Sequence, residues 1–264
     1  MVTAVAEQLD PELVGRLRRL KLRRIREVAG EVCLTARTQR WRPEELLRVL
    51  VAEECKARDE ANRQARLKQA GFPVDKRLEG FQLSASNLSQ ATFNYLASLE
   101  WVGQARNLAL VGPRGTGKSH LAVALGRAAV DAGHRVRFFR ADALIEQLYR
   151  GLADNSVGRV IDSILRADVV VVDELGFSAL DSVAANHLFR LVAAAYETRS
   201  LVLTSNWAFE LWTNFLPDAT SATAILDRLL HHCEVVVLDG PSFRLREAKV
   251  PRKPVTALEN ARTP

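Results

Sequence analysis

The sequence is poor in the residues that would point away from an ordinary reduced, globular protein. Its 264 residues contain three cysteines, Cys33, Cys55 and Cys233. They are far apart, with no C-x-x-C pair and no histidine at zinc-finger spacing. Neither a disulfide framework nor a structural zinc site is therefore expected. No apolar run approaches the ~18 residues of a membrane-spanning helix. The opening MVTAVAEQLDPEL has an acid at Glu7 and no basic stretch ahead of an apolar one, unlike a secretory signal. Internal repeats and low-complexity tracts are also missing. A cytoplasmic location and no membrane partner are the expectation.

What is present has the balance of a folded chain, with 48% hydrophobic and 26% charged residues. The length suits one ordinary α/β domain and a smaller appendage. The net charge of +6 is uneven. Residues 1–80 hold 18 Lys and Arg against 13 Asp and Glu, while the remainder holds 19 against 18. The excess peaks between residues 16 and 26, where Arg16, Arg18, Arg19, Lys21, Arg23, Arg24 and Arg26 place seven cations in eleven residues without an acid. Such clustering suits a polyanion, nucleic acid first. The plainer alternative is a solvated helix face.

From Pro11 to Ala70 leucines and alanines recur at helical spacing, and Pro43 followed by Glu44 and Glu45 has the composition of a first helical turn. A small domain of two to four helices is expected over residues 1–72, then a linker and approach to the core over 73–105. The core is expected over 106–248 and a flexible tail over 249–264. Within the core, short apolar runs at Asn107–Val111, Arg135–Phe139, Asp168–Asp173, Leu201–Ser205 and Val235–Leu238 alternate with helical stretches near 118–132, 141–152, 157–166, 181–198 and 222–231. Continuous Val/Leu strands separated by helices predict a parallel sheet covered on both faces.

Gly112, Pro113, Arg114, Gly115, Thr116, Gly117, Lys118 and Ser119 form a complete G-x-x-x-x-G-K-[ST] loop between a strand and a helix. The glycines let backbone N–H groups turn toward phosphates, and the helix N-terminus adds its dipole. Lys118 would reach the β- and γ-phosphates of ATP, Ser119 would ligate Mg²⁺, and His120 follows in the same turn. Val169–Val172 leads into Asp173, a second Mg²⁺ candidate, and Glu174, the candidate base that polarises the attacking water. Asn206, at the end of the next strand, would face the γ-phosphate or the water, or would cap a helix beginning at Trp207. Arg228, late in a helix, is either a guanidinium offered to a neighbouring subunit's site or a partner of Asp227. Arg244 is a candidate nucleotide sensor, and Arg114 carries the same ambiguity. The pair His231–His232 is not expected to hold a metal, because adjacent histidines on a helix diverge by about 100° and a ligand set is incomplete nearby. The aromatics of 206–215 read as packing rather than base-stacking.

Several of these stretches together resemble the IstB-like ATP-binding proteins, the AAA+ helpers of insertion-sequence transposases and relatives of the DnaC helicase loaders. They are GPRGTGKSHLAVALG (112–126), AGHRVRFFRADALI (132–145), ADVVVVDELGFSAL (167–180), LTSN (203–206), AILDRLLHHCEVV (224–236) and SFRL (242–245). EECKARDEANRQARLKQAGFP (53–73) and LEGFQLSAS (78–86) match upstream. The resemblance implies a five-stranded AAA+ core of strand order 5-1-4-3-2, ATP and Mg²⁺ as cofactors, and an ATP-dependent homo-oligomer. It further implies binding and bending of duplex DNA, and a transposase of the same element as partner. Phe81, from its position in the linker alone, is expected to contribute to an adenine pocket. Many relatives carry Asp-Asp where this chain has Asp173 and Glu174, and the residues after Ser242 are too few for the usual helical lid. A helicase loader preferring single strands is the alternative function. A small-molecule kinase is disfavoured for want of a lid and an acceptor pocket.

Overall fold

The structure, a computed structural model, describes residues 9–153 and 156–243. Arg244 and the expected tail at 249–264 lie outside the described residues. The chain divides into two compact units, residues 1–65 and 66–264.

The first unit is helical: α1 (Pro11–Arg19), α2 (Arg23–Thr38) and α3 (Pro43–Ala70), whose last turn falls in the second unit. Asp10 starts α1 by accepting the Leu13 N–H at 3.1 Å, with Pro11 in the first turn. The cationic run does not lie on one helix. It is split by a break at residues 20–22, where Lys21 turns left-handed at φ 57° without a glycine. The first residue before α2, Leu22, offers no capping side chain. That duty falls to Glu54 of α3, only 6% exposed, which accepts the N–H groups of Arg24 at 2.8 Å and Ile25 at 3.1 Å and the Arg58 guanidinium at 2.9 Å. Ile25, Val28, Ala29 and Ala36 form the buried stripe of α2. Arg16 pairs with Glu12, Arg23 with Glu27 and Arg24 with Glu53. Arg18, Arg19, Lys21 and Arg26 make no ion pair among the described residues.

In the second unit, residues 78–80 and 83–85 form short 3-10 turns, followed by α4 (Gln90–Ser98) and α5 (Glu100–Gly103). Ser89 caps α4 through the Thr92 N–H at 3.1 Å, and Leu99 at φ 59° swings the chain into α5. Neither helix was expected from the pattern, yet both belong to the core. Trp101 is 1% exposed, with its indole N–H on the Leu96 carbonyl. The remainder alternates: β1 (Asn107–Val111), α6 (Lys118–Asp131), β2 (Val136–Arg140), α7 (Ala141–Ala153), α8 (Val157–Ile164), β3 (Val169–Leu175), α9 (Ser182–Ala195), β4 (Ser200–Ser205), α10 (Ala219–Leu230) and β5 (Cys233–Val237).

The five strands are all parallel in the order β2-β3-β4-β1-β5, which is the expected 5-1-4-3-2 read from the other edge. Leu144, Leu148, Ile161, Ile164, Leu188 and Leu229 cover one face, over Val170, Val172, Leu201 and Leu203. Leu96, Trp101, Leu121, Leu125 and Val130 cover the other, over Leu108, Leu110, Val169, Val171 and Val202. A strand buried on both faces must be apolar at every position, hence the unbroken valines of β3. Two helix ends depart from expectation. The helix expected to reach 198 stops at Ala195, and that expected from 222 starts at Ala219 because Asp218 caps it through the Ser221 N–H at 2.7 Å. No helix begins at Trp207; a 3-10 segment, Phe209–Asn214, follows, and Ser205 Oγ takes the Trp207 N–H at 3.1 Å. The capping alternative for Asn206 is thereby overturned. Among the described residues no helix is long and apolar enough to cross a membrane.

The Glu54 carboxylate ties α3 to α2. Burial alone would raise its pKa, but the hydrogen bonds from Ile25, Arg58 and Arg24 outweigh that and hold it below the usual carboxylate range. A depressed folded pKa adds stability above the unfolded value, lost as pH falls through the folded one. Glu54→Ala should therefore lower the melting temperature of the helical unit near neutral pH. The deficit should shrink well below the ordinary carboxylate range; a pH-independent deficit would mean that the residue acts by packing alone.

Candidate functional site

β1 delivers the chain into the loop at residues 112–117, and α6 begins at Lys118. Three glycines hold the loop in conformations other residues avoid, Gly112 at φ 140°, Gly115 at φ 84° and Gly117 at φ 99°. Each is also crowded by a different segment. A Cβ on Gly112 would lie 1.9 Å from the Leu238 carbonyl oxygen, one on Gly115 2.1 Å from Ser242 Oγ, and one on Gly117 3.1 Å from the Phe81 ring. The Phe243 N–H donates to the Gly115 carbonyl at 2.9 Å. Gly117 precedes α6 without a capping side chain, so the first-turn N–H groups are left to an anion. Lys118, 6% exposed, donates from Nζ to the carbonyls of Gly112 at 2.6 Å and Pro113 at 2.7 Å.

A chain of hydrogen bonds joins α6, β3 and β4 beside this loop. Ser119 Oγ donates to Asp173 Oδ1 at 2.8 Å, and Thr204 Oγ1 donates to the same oxygen at 2.5 Å. Thr204 Oγ1 in turn accepts the Glu174 N–H at 2.8 Å. Asp173 is 7% exposed, so its charge is held mainly by hydroxyl donors. Hydroxyl and carboxylate oxygens are the ligands a hard dication takes, so the residues present fit Mg²⁺.

Glu174 leaves strand geometry. Its φ is 61°, and the β3–β4 pairing shifts register between Val172 and Leu175. A non-glycine residue there costs about 1–3 kcal/mol, the kind of local strain that gathers at working sites. Its Oε2 sits 3.3 Å from the Arg140 guanidinium at the end of β2, and Arg140 also contacts Asp142 at 3.3 Å. Asp142 first, then Glu174, hold the Arg140 pKa above its ordinary value.

The other expected residues disperse. Asn206 follows β4 directly, level with the loop, since Val111 pairs with Ser205 and the Gly112 N–H reaches the Ser205 carbonyl at 3.2 Å. Arg114 lies over the Phe177 ring at 5.3 Å. His120 contacts the Phe81 ring edge-on at 5.6 Å, and Phe81 stacks on Phe93 at 5.8 Å. Burial pushes the His120 pKa down. Pro113 and Thr116 stay within the loop, the Thr116 hydroxyl on the Pro113 carbonyl at 2.9 Å.

Arg228 stands elsewhere. Leu229, its neighbour on α10, accepts the Asn107 side-chain N–H at 2.9 Å, at the start of β1, whereas the loop leaves the end of that strand. Five strand residues separate the two levels, a rise of roughly 16 Å. Its guanidinium covers the Phe189 ring at 4.7 Å and reaches the Ala224 carbonyl at 3.4 Å; among the described residues it makes no ion pair with Asp227.

Two site residues escape the sequence pattern. Thr204 carries a weak signal, being the polar member of an apolar strand and two residues, one side-chain period, before Asn206. Arg140 carries none, because its partner Glu174 is distant in sequence.

Comparison with protein families matches residues 15–250 to the IstB-like ATP binding protein family. The chain is 37% identical over 239 residues to a Pseudomonas aeruginosa protein described as a putative ATP-binding protein of insertion sequence IS21, covering 90% of each. It is 33% identical over 188 residues to the corresponding IS5376 protein of Geobacillus stearothermophilus, covering 71% of this chain and 75% of the relative. Among solved structures, the DnaC helicase loader shares the fold, with a TM-score of 0.52 at 21% identity over 62% of this chain and 96% of that one. A parallel P-loop core of AAA+ type and a match spanning both units lead to one assignment: the chain belongs to the IstB-like ATP-binding protein family.

Proposed function

We propose that this chain is an ATP-binding, ATP-hydrolysing AAA+ protein that assembles on duplex DNA and recruits or activates a transposase of its own element. The observation that carries the enzymatic part is the hydrogen-bonded set Ser119, Asp173, Thr204 and Glu174 beside the glycine loop. ATP is the substrate, held by the loop N–H groups and the first turn of α6. Lys118 exchanges its two carbonyl partners for β- and γ-phosphate oxygens. Mg²⁺, when bound, would supply charge neutralisation at the transferring phosphoryl group. Ser119 and Asp173 are the residues that hold it.

Glu174 accepts the proton of the water that attacks the γ-phosphorus, while the bond to the bridging oxygen breaks and ADP departs. Arg140, 3.3 Å from Oε2, aims that carboxylate. Asn206, level with the loop, orients the water or the γ-phosphate, and Arg244 is assigned to nucleotide sensing. Phe81, packed on Gly117, and His120, edge-on to the Phe81 ring, suit the base. Arg228 sits at the opposite end of β1 from its own loop, so any role in transition-state stabilisation is exerted on a neighbouring subunit. The exposed cations of α1 and α2 are assigned to the DNA backbone, with residues 1–72 as the DNA- and partner-binding part and 106–248 as the ATPase core. Such work belongs in the cytoplasm.

Glu174→Gln should bind ATP within a few-fold of the parent and turn it over roughly a hundredfold more slowly, whereas Lys118→Ala should lose nucleotide binding itself. Equal turnover in Glu174→Gln would remove it as the base. Arg228→Ala should cost about a hundredfold in turnover and regain activity when mixed with Lys118→Ala subunits, which still supply the arginine. No rescue on mixing would place the defect within one subunit. Fluorescence anisotropy with labelled duplex and single strands should show ATP-dependent duplex binding that weakens steeply with salt, by a log–log slope of about 0.9 per phosphate contacted. Preference for single strands would favour a helicase-loading role instead.

A further inference from the structure

At the far end of the sheet from the glycine loop, two helices finish side by side. α9 ends at Ala195 and is followed by Tyr196 and Glu197; α10 ends at Leu230 and is followed by His231 and His232. His231 is the last residue with helical backbone, at φ −55° and ψ −43°, and His232 lies beyond the helix end. Their rings lie 4.1 Å apart, centroid to centroid. Tyr196 stacks on both, at 5.8 Å and 6.1 Å, and its hydroxyl is 2.6 Å from His231 Nδ1. Glu197 supplies the third group, with Oε1 3.2 Å from His232 Nε2. One ligand atom from each of Glu197, His231 and His232 lies within 4.8 Å of the others.

We propose that Glu197, His231 and His232 form a transition-metal site of the zinc(II) class, distinct from the nucleotide site. Two imidazoles and a carboxylate are a donor set that zinc accepts, with water completing the sphere. Ligand atoms on bonds of about 2.0–2.2 Å stand roughly 3.4 Å apart in a tetrahedron, so small side-chain rotations close the present spacing. The surroundings favour a cation. The carbonyl ends of α9 and α10 both point here, each carrying partial negative charge. Asp227 and Glu197 set a negative field at Tyr196, and the guanidinium of nearby Arg228 is engaged over Phe189. Glu197 itself holds φ 56°, at the position after a helix where glycine is usual. A carboxylate kept there at a conformational cost is brought against the histidines. A bound ion would cross-link the α9–β4 turn to the α10–β5 corner, one helical turn from Arg228.

The test is calorimetric titration of the full chain, stripped with a chelator, with ZnCl₂ in saturating Mg²⁺ so that Ser119 and Asp173 do not compete. One equivalent should bind. His232→Ala and Glu197→Gln should each weaken binding at least about tenfold, while Asp173→Asn leaves it unchanged. Co²⁺ in place of zinc should give a visible spectrum without thiolate charge transfer, which separates this site from the cysteines. If His232→Ala does not fold, Glu197→Gln carries the comparison alone. Zinc bound equally well by the variants, a thiolate signature, or no stoichiometric binding by the parent would each overturn the proposal.

Discussion

The carboxylate of Asp173 is the point through which the phosphate loop's helix and the central strands are joined. A buried charge is costly unless it is paired or well hydrogen-bonded. Here one oxygen takes two hydroxyl protons, from Ser119 on α6 and Thr204 on β4. Both donors come from elements bracketing the loop, so the position of the loop's helix is read directly at the strand carrying Glu174. Thr204 makes the link two-sided, because its oxygen also accepts the Glu174 N–H. Removing the hydroxyl would leave the Glu174 N–H without its acceptor and Asp173 with Ser119 as its remaining hydroxyl donor, which is why this threonine matters more here than its β propensity suggests.

The loop is likewise fixed from outside. Leu238 and Ser242, from the segment leaving β5, and Phe81, from the stretch before α4, press on Gly112, Gly115 and Gly117. Asn87 ties those two stretches together, donating to the Val237 carbonyl and accepting the Asp239 N–H, both at 2.9 Å. Any shift of the phosphate loop is thus felt by the segment leaving β5 and by the stretch before α4. Lys118 already lies inside the loop, its Nζ on the Gly112 and Pro113 carbonyls.

The strands, their order and the loop were legible because a sheet buried on both faces writes itself as unbroken valine and leucine, and because the glycine loop has few alternatives. What escaped did so for identifiable reasons. The turn at Lys21 uses a left-handed lysine where a glycine would have announced it. α4 and α5 are short, and their junction at Leu99 is another left-handed non-glycine residue. Thr204 looks like any β-branched residue in a strand. Arg140 and Glu197 gain their roles only from partners brought near by the fold. Local pattern reports burial and period well, and long-range polar pairing hardly at all.

Helix stability accounts for only half of the cationic run. Arg16, Arg18 and Arg19 occupy the last turn of α1, where cations complement the helix dipole. Arg23, Arg24 and Arg26 occupy the first turn of α2, where the dipole opposes them and the only nearby acid on the helix is Glu27, one residue on, paired with Arg23 and Arg24. Part of that cost is offset from α3, by Glu54 at the backbone N–H groups and Glu53 at Arg24. Arg26, and with it Arg18, Arg19 and Lys21, receives no such ion pair among the described residues. A fold selected for stability alone would place acids at the start of α2. Keeping arginines there instead, with a buried glutamate of α3 committed to capping the helix, is a cost that the stability of α2 does not repay.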